Sequence, residues 1–309
     1  IRGNIMLSLS VVVPFHKYTP FGGRFYEPIL NYFMENSKNW INEVDQVYLL
    51  DSTWGIKSSS NKFAIIRIDP NLRYFEAYEK IIPTLKEDVV LFLDDDMVIY
   101  REGIIKKAFD QIKEGYDIVS IYDTIGTLTD RINLFWPQMN GKSKFCPYFF
   151  MARTALLKSI YNLRLGPVHY GSREYIDQLD YFTVDGDWVE TLGEATIKLL
   201  AAGAKTYEME EDKNSIYCNG TQDGIGKNLG YYHIRAGSTP AYLLATKAEG
   251  DPKTYNDYLN NQPWTEYLRQ AAWYMQMCAT NEQRNNILDF VADTKVSTKG
   301  FMDYLKRFK

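Results

Sequence analysis

Val89-Val90-Leu91-Phe92-Leu93-Asp94-Asp95-Asp96-Met97-Val98-Ile99 carries five apolar residues directly into three carboxylates and then returns to apolar residues. The apolar run is short and opens with two β-branched residues, so it predicts a buried strand rather than a helix. Side chains alternate along an extended chain, which puts Asp94 and Asp96 on one side and Asp95 on the other. Carboxylates stacked at the end of a buried strand repel one another unless a cation neutralises them. Oxygen ligands suit a hard divalent ion, Mg²⁺ or Mn²⁺, which is commonly held by one or two carboxylates with substrate phosphates completing its shell. A chain of this length yields roughly one Asp-x-Asp by chance at about 5% Asp. Asp185-Gly186-Asp187 is a second one, and the preceding five-residue apolar run is what sets Asp94-Asp95-Asp96 apart.

At 309 residues, 45% hydrophobic and 24% charged, the chain has the make-up of a globular protein with one large domain, or a domain and an appendage. A formal net charge of -4 gives no reason to expect nucleic acid. Cys146, Cys218 and Cys278 are widely spaced, which excludes a Cys-x-x-Cys zinc site and a disulfide framework; a reducing, cytoplasmic setting is the expectation. The apolar stretch Ile5 to Phe15 contains Pro14 and lacks a small-residue cleavage site, so it reads as a first strand. No run reaches the ~18 apolar residues of a membrane span. Asn219-Gly220-Thr221 reads as a turn rather than a glycosylation acceptor.

Outward from the central run, strand-like and helix-like segments alternate. Leu7 to Val13, Gln46 to Leu50, Phe63 to Ile68, Val89 to Leu93, Asp117 to Ile121 and Lys205 to Met209 read as strands. Helices are expected near Phe25 to Lys38, over Leu72 to Leu85, over Glu102 to Gly115 and over Trp188 to Ala202. That alternation predicts an α/β fold with a mostly parallel central sheet and helices on both faces. Ligands in such sheets bind beyond the carboxyl ends of the strands, where Pro14, Asp51 and Asp94-Asp95-Asp96 all fall. Residues 131–183 are irregular and aromatic, and Cys218 to Gly230 is a glycine-rich stretch expected to be a mobile loop. It is not a P-loop, because Gly226-Lys227 is followed by Asn228. Beyond about Pro252 the pattern is helical, with Trp264, Leu268, Ala271, Met275 and Cys278 at helical spacing.

These motifs, in this order over roughly residues 7 to 240, resemble a nucleotide-sugar glycosyltransferase of the GT-A (Rossmann-like) fold, family 2-like, in which a metal-binding Asp-x-Asp ends the fourth strand. Val11-Val12-Val13-Pro14-Phe15 resembles the family's first strand, Leu49-Leu50-Asp51 its second, and Leu93-Asp94-Asp95-Asp96 its metal motif; Asn71-Leu72-Arg73 occupies the place of a family segment it matches less well. The resemblance implies a donor site made by Pro14, Phe15, Asp51, Arg73, Asp94 and Asp95, with Lys227 and Arg235 neutralising the departing diphosphate. Metal ligation falls by the same resemblance to Asp94 and Asp96, with His233, in Tyr232-His233-Ile234-Arg235, as a third ligand. The catalytic base it implies is Asp187, with Asp185 second, and inverting transfer follows if Asp187 takes the acceptor proton. Against that, Asp187 and Glu190 also spell a capping box for the helix expected at Trp188.

The expectation is therefore a Mn²⁺- or Mg²⁺-dependent transfer of a sugar from a nucleotide diphosphate, with a UDP-sugar as the expected donor, to a hydroxyl acceptor such as a glycan. A catalytic domain over 1–248 divides near 125 into nucleotide-binding and acceptor-binding halves, and 249–309 forms a helical C-terminal extension. The aromatic stretch 131–183 is expected to shape the acceptor site, and the basic, apolar ending Tyr304-Leu305-Lys306-Arg307-Phe308-Lys309 leaves room for peripheral contact with a membrane surface. Two rivals remain. A haloacid-dehalogenase-type phosphatase would use Asp94 as its nucleophile, although that motif normally opens the domain on its first strand. A sugar nucleotidyltransferase shares the architecture but usually opens with a Gly-rich loop, which Pro14-Phe15-His16-Lys17 is not.

Overall fold

The computed structural model describes residues 7–15, 30, 33–52, 54–56, 61–69, 72, 74–95, 97–99, 102–121, 145–146, 148–166, 168–169, 188–189, 192–209, 224–226 and 229–233. Twelve strands occur among these residues. They are β1 (Leu9–Phe15), β2 (Gln46–Asp51), β3 (Phe63–Arg67), β4 (Val89–Leu93), β5 (Met97–Ile99), β6 (Ile118–Ile121), β7 (Phe149–Arg153), β8 (Val168–His169), β9 (Trp188–Val189), β10 (Thr206–Met209), β11 (Gly224–Gly226) and β12 (Tyr231–His233). The α-helices are α1 (Tyr74–Ile81), α2 (Ile104–Lys113), α3 (Thr154–Ser159) and α4 (Gly193–Ala201).

Seven strands form one sheet in the order β3-β2-β1-β4-β7-β6-β10. Parallel pairing joins β3 to β2, β2 to β1, β1 to β4 and β6 to β10, while β7 runs antiparallel to both of its neighbours. The fold is thus α/β with a mostly parallel sheet, as the alternating pattern predicts. Every residue of β1 and β4 is buried, which explains why both read as unbroken apolar runs. On one face Val11, Val13, Leu91 and Leu93 pack under α2 (Ile104, Ile105, Ala108, Ile112) and under Phe33 and Trp40. Val12, Val90 and Phe92 alternate onto the other face and meet Phe75, Tyr78 and Ile81 of α1, Leu157 of α3 and Leu199 of α4. Each such aliphatic side chain stabilises by about 1.5–3 kcal/mol on burial.

The chain runs outward from β1 through β2 to β3, and β4 then returns to the opposite side of β1. The crevice between the carboxyl ends of β1 and β4 is consequently the topological switch point, where open α/β sheets hold their ligands.

Several sequence expectations are corrected. The helix expected over Trp188 to Ala202 begins only at Gly193; Trp188–Val189 is β9, paired antiparallel with β8. Leu192 adopts a left-handed conformation (φ 60°), through which a right-handed helix cannot propagate, and Val189 favours extended backbone. The Asp187/Glu190 capping box therefore has no helix start to cap. Within the aromatic stretch Phe149–Arg153 is β7, in the interior of the sheet, and Phe145, Tyr148, Phe149 and Phe150 are buried core rather than an acceptor surface. Part of the expected glycine-rich loop, Gly224–Gly226, is a strand paired with β12. The helix expected over Leu72 to Leu85 is α1 followed by a single 3-10 turn at Ile82–Thr84, because Pro83 supplies no N–H for another helical hydrogen bond. Helix near Phe25 to Lys38 is described only at 30 and 33–37, and the extension 249–309 lies outside the described residues.

Candidate functional site

β4 is the fourth strand in chain order, and Asp94 follows its last residue, as the resemblance implies. Two backbone hydrogen bonds set the direction of the chain there: Asp94 N–H donates to the Tyr148 carbonyl at 3.4 Å, and Met97 N–H donates to the Asp94 carbonyl at 3.2 Å. The second closes a four-residue turn at the switch point. Tyr78 of α1 steadies it from the neighbouring layer, donating its hydroxyl to the Leu93 carbonyl at 3.3 Å. Asp94 and Asp95 are both half-buried on this turn; Asp96 lies outside the described residues.

The turn delivers the chain into β5, which leaves the main sheet and pairs antiparallel with β12. The register sets Met97 opposite His233, Val98 opposite Tyr232 and Ile99 opposite Tyr231. Opposed antiparallel residues have Cα atoms about 4.5–5.5 Å apart, so a residue far away in sequence comes beside the carboxylate turn. The outer edge of β5 is held by amide side chains. Asn39 donates from Nδ2 to the Ile99 carbonyl at 2.9 Å. The Asn36 amide, with its oxygen turned to accept from Ile99 N–H and its nitrogen to donate to Ile99 C=O, stands in for a neighbouring strand. These asparagines carried no sequence signal, because what they contact is backbone.

The donor-side residues divide. Pro14, one residue before the end of β1, offers no N–H and lies opposite Leu50 of β2, beyond the last register pair that β1 makes with β4. The Phe15 ring, expected at the nucleotide, is instead buried against Phe33, with ring centroids 5.5 Å apart and the planes near perpendicular. Its carbonyl accepts from both the N–H and the hydroxyl of Ser52, each at 3.0 Å, which ties the carboxyl ends of β1 and β2 together. Asp51, expected to meet a nucleobase, is also turned inward. Its side chain is 0% exposed and ion-paired with Arg67. The two carboxylate oxygens accept from the N–H groups of Trp54 (3.0 Å) and Ile56 (3.1 Å). A carboxylate at the end of a buried strand needs compensation, and here the protein supplies it. Arg67 ends β3, and nothing in its sequence context pointed to this pairing.

Arg73, Asp185, Asp187, Lys227 and Arg235 lie outside the described residues, as does the side chain of His233. Among the described residues no three His, Cys, Asp or Glu side chains cluster as metal ligands. The donor set at the turn, carboxylate oxygens with a histidine residue in register beside them, has the chemistry that Mn²⁺ or Mg²⁺ takes. One acidic group was missed entirely. Glu194, near the start of α4, is 1% exposed and bridges to Lys198 at 2.6 Å, and burial pushes its pKa above the ordinary value. No helix among the described residues is long and apolar enough to cross a membrane.

No protein-family model matches the sequence, and no curated protein matches it. Among solved structures, a 4-diphosphocytidyl-2C-methyl-D-erythritol synthase from Anaerococcus prevotii is 12% identical, over 68% of this chain and 91% of that one, with a TM-score of 0.41. An active-site mutant of LgtC is 12% identical, over 65% of this chain and 72% of that one, with a TM-score of 0.42. Glucosyl-3-phosphoglycerate synthase from Mycobacterium tuberculosis, in complex with Mn²⁺, UDP-glucose and phosphoglyceric acid, is 16% identical over 56% of this chain, with a TM-score of 0.33. The match covers 66% of that protein, so the chain spans just under two thirds of its length.

Proposed function

We propose that the chain is a metal-dependent glycosyltransferase that moves a sugar from a nucleotide diphosphate, a UDP-sugar by preference, to a hydroxyl acceptor such as a glycan. The observation that carries this is the Asp94–Met97 turn at the switch point, with His233 in register beside it. Asp94, Asp96 and His233 are the proposed ligands of Mn²⁺ or Mg²⁺, which when bound would neutralise charge developing on the leaving diphosphate. Asp95, Arg73 and Pro14, near the end of β1, orient the donor at the strand ends. Lys227 and Arg235 add positive charge beside the diphosphate. Asp187, with Asp185 as the alternative, takes the acceptor proton, which makes the transfer inverting. Residues 1–248 form the catalytic unit in this scheme, and 249–309 follow as a helical extension.

The test is the melting temperature with UDP, GDP, CMP and dTDP, each with and without Mn²⁺. A nucleotide at 100 times its Kd stabilises by about 2.7 kcal/mol, or roughly 4 °C for a chain of this size. A metal-requiring shift with one nucleotide, abolished in Asp96→Ala, is the expected result. No shift with any nucleotide counts against the proposal and turns attention to a phosphatase with Asp94 as nucleophile.

A further inference from the structure

Trp54 has no part in the site as described, yet it combines three properties seldom found in one surface tryptophan. Its side chain is 65% exposed, where an indole gains nothing from burial. Its backbone is left-handed (φ 57°), a strained conformation for a residue with a bulky side chain, of the kind that clusters at ligand sites. And it is pinned twice: its N–H donates to Asp51 Oδ1 at 3.0 Å, and its indole Nε1 donates to the Ile68 carbonyl at 2.9 Å. Asp51 is itself anchored by Arg67 and Ile56. A largely exposed ring held at its backbone and at its indole nitrogen is preorganised to stack.

The two anchors place the ring. Asp51 ends β2, and Ile68 follows the last residue of β3, so the indole lies along the carboxyl ends of those strands. Asp94 follows β4, and β1 separates β4 from β2. At a strand spacing of about 4.8 Å, β2 lies two spacings and β3 three from β4, so the ring sits roughly 10–15 Å from the carboxylate turn. A nucleoside diphosphate covers such a span from base to terminal phosphate. Asp51, the obvious polar group for reading a base, is buried and engaged by the protein.

Resting on the glycosyltransferase reading above, we infer that Trp54 is the stacking platform for the donor's nucleobase, with the diphosphate reaching back to the Asp94 turn. Stacking is tolerant of base identity, so Trp54 contributes affinity more than discrimination.

Binding of UDP and of pyrophosphate, each with Mg²⁺, to wild type, Trp54→Gly and Trp54→Phe tests this. Glycine accepts the left-handed backbone without strain, which offsets the loss of the indole–Ile68 hydrogen bond, so Trp54→Gly melts close to wild type. It is expected to weaken UDP binding about fivefold or more while leaving pyrophosphate binding unchanged, and Trp54→Phe recovers much of the UDP affinity. Equal UDP affinity in wild type and Trp54→Gly overturns the assignment, as does an equal loss of UDP and pyrophosphate binding. Wild type that binds no nucleotide overturns the donor site itself, and this inference with it.

Discussion

Removing the two members of the Asp51–Arg67 pair one at a time should be unequal in cost, with the arginine the more expensive loss. Asp51 is 0% exposed, and the Arg67 side chain is 39% exposed. In Asp51→Asn the amide oxygen retains one of the Trp54 and Ile56 N–H groups, its NH₂ faces the other, and Arg67 turns to water. The net loss is one orphaned N–H, about 1–3 kcal/mol. In Arg67→Leu the carboxylate stays buried, with the Trp54 and Ile56 N–H donors but without the Arg67 guanidinium, and the Ile56 carbonyl also loses the guanidinium that donates to it. Breaking a buried pair from that side costs about 3–5 kcal/mol. Against a total stability of about 5–15 kcal/mol, the difference is readily measured by urea unfolding at pH 7. Equal costs, or a larger cost for Asp51→Asn, would refute the claim that Asp51 is the desolvated member and the anchor of the 52–56 loop.

Asn39→Ala should cost about 1 kcal/mol by removing one of the two amide donors to the Ile99 carbonyl, leaving Asn36 alone to hold it. Exchange of the β5 and β12 amides should then accelerate while those of β1 do not, and equal acceleration throughout would show that the amide clamp is not local. At α4, Lys198→Met leaves Glu194 as a buried carboxylate without its cation, at about 3–5 kcal/mol near pH 7. Replacing both with Glu194→Leu and Lys198→Met should come close to wild type. Because burial raises the folded-state pKa of Glu194 above its ordinary 4.5, the wild-type protein loses stability from this group as pH rises from about 4.5 through the raised value. Lys198 holds that value down, so its loss raises Glu194 further, and the Lys198→Met penalty should shrink as pH falls toward the raised wild-type value and change little below it. Unfolding midpoints of wild type and the two variants at several pH values check both claims, and a penalty independent of pH would sink the second.

Much of this protein was legible as one-dimensional pattern. The run Val89 to Leu93 became the strand it predicted, residue for residue, because a strand buried on both faces must be apolar throughout. α2 followed from the spacing of Ile104, Ile105, Ala108 and Ile112, and Gly115 ended it with a positive φ. The placement of Pro14, Asp51 and Asp94 at strand ends followed from the same reasoning, since strand ends are local. Pairing partners are not local. β7 was hidden in an aromatic stretch, because the antiparallel insertion of Phe149–Arg153 between β4 and β6 is decided by which edges remain free once the parallel strands have assembled. Leu192 broke an otherwise plausible helix by adopting a conformation that propensity does not anticipate. Which strand-end carboxylate is consumed by the fold was also beyond the sequence. Asp51 and Asp94 are each an aspartate at the end of an apolar strand, and the arrival of Arg67 from β3 turns the first into an internal anchor. What the chain determined by itself was the fold class and where its charge emerges. The tertiary structure alone decided that His233 stands beside the Asp94 turn and that Asp51 belongs to the protein, because both depend on backbone register and ion pairing between segments remote in sequence.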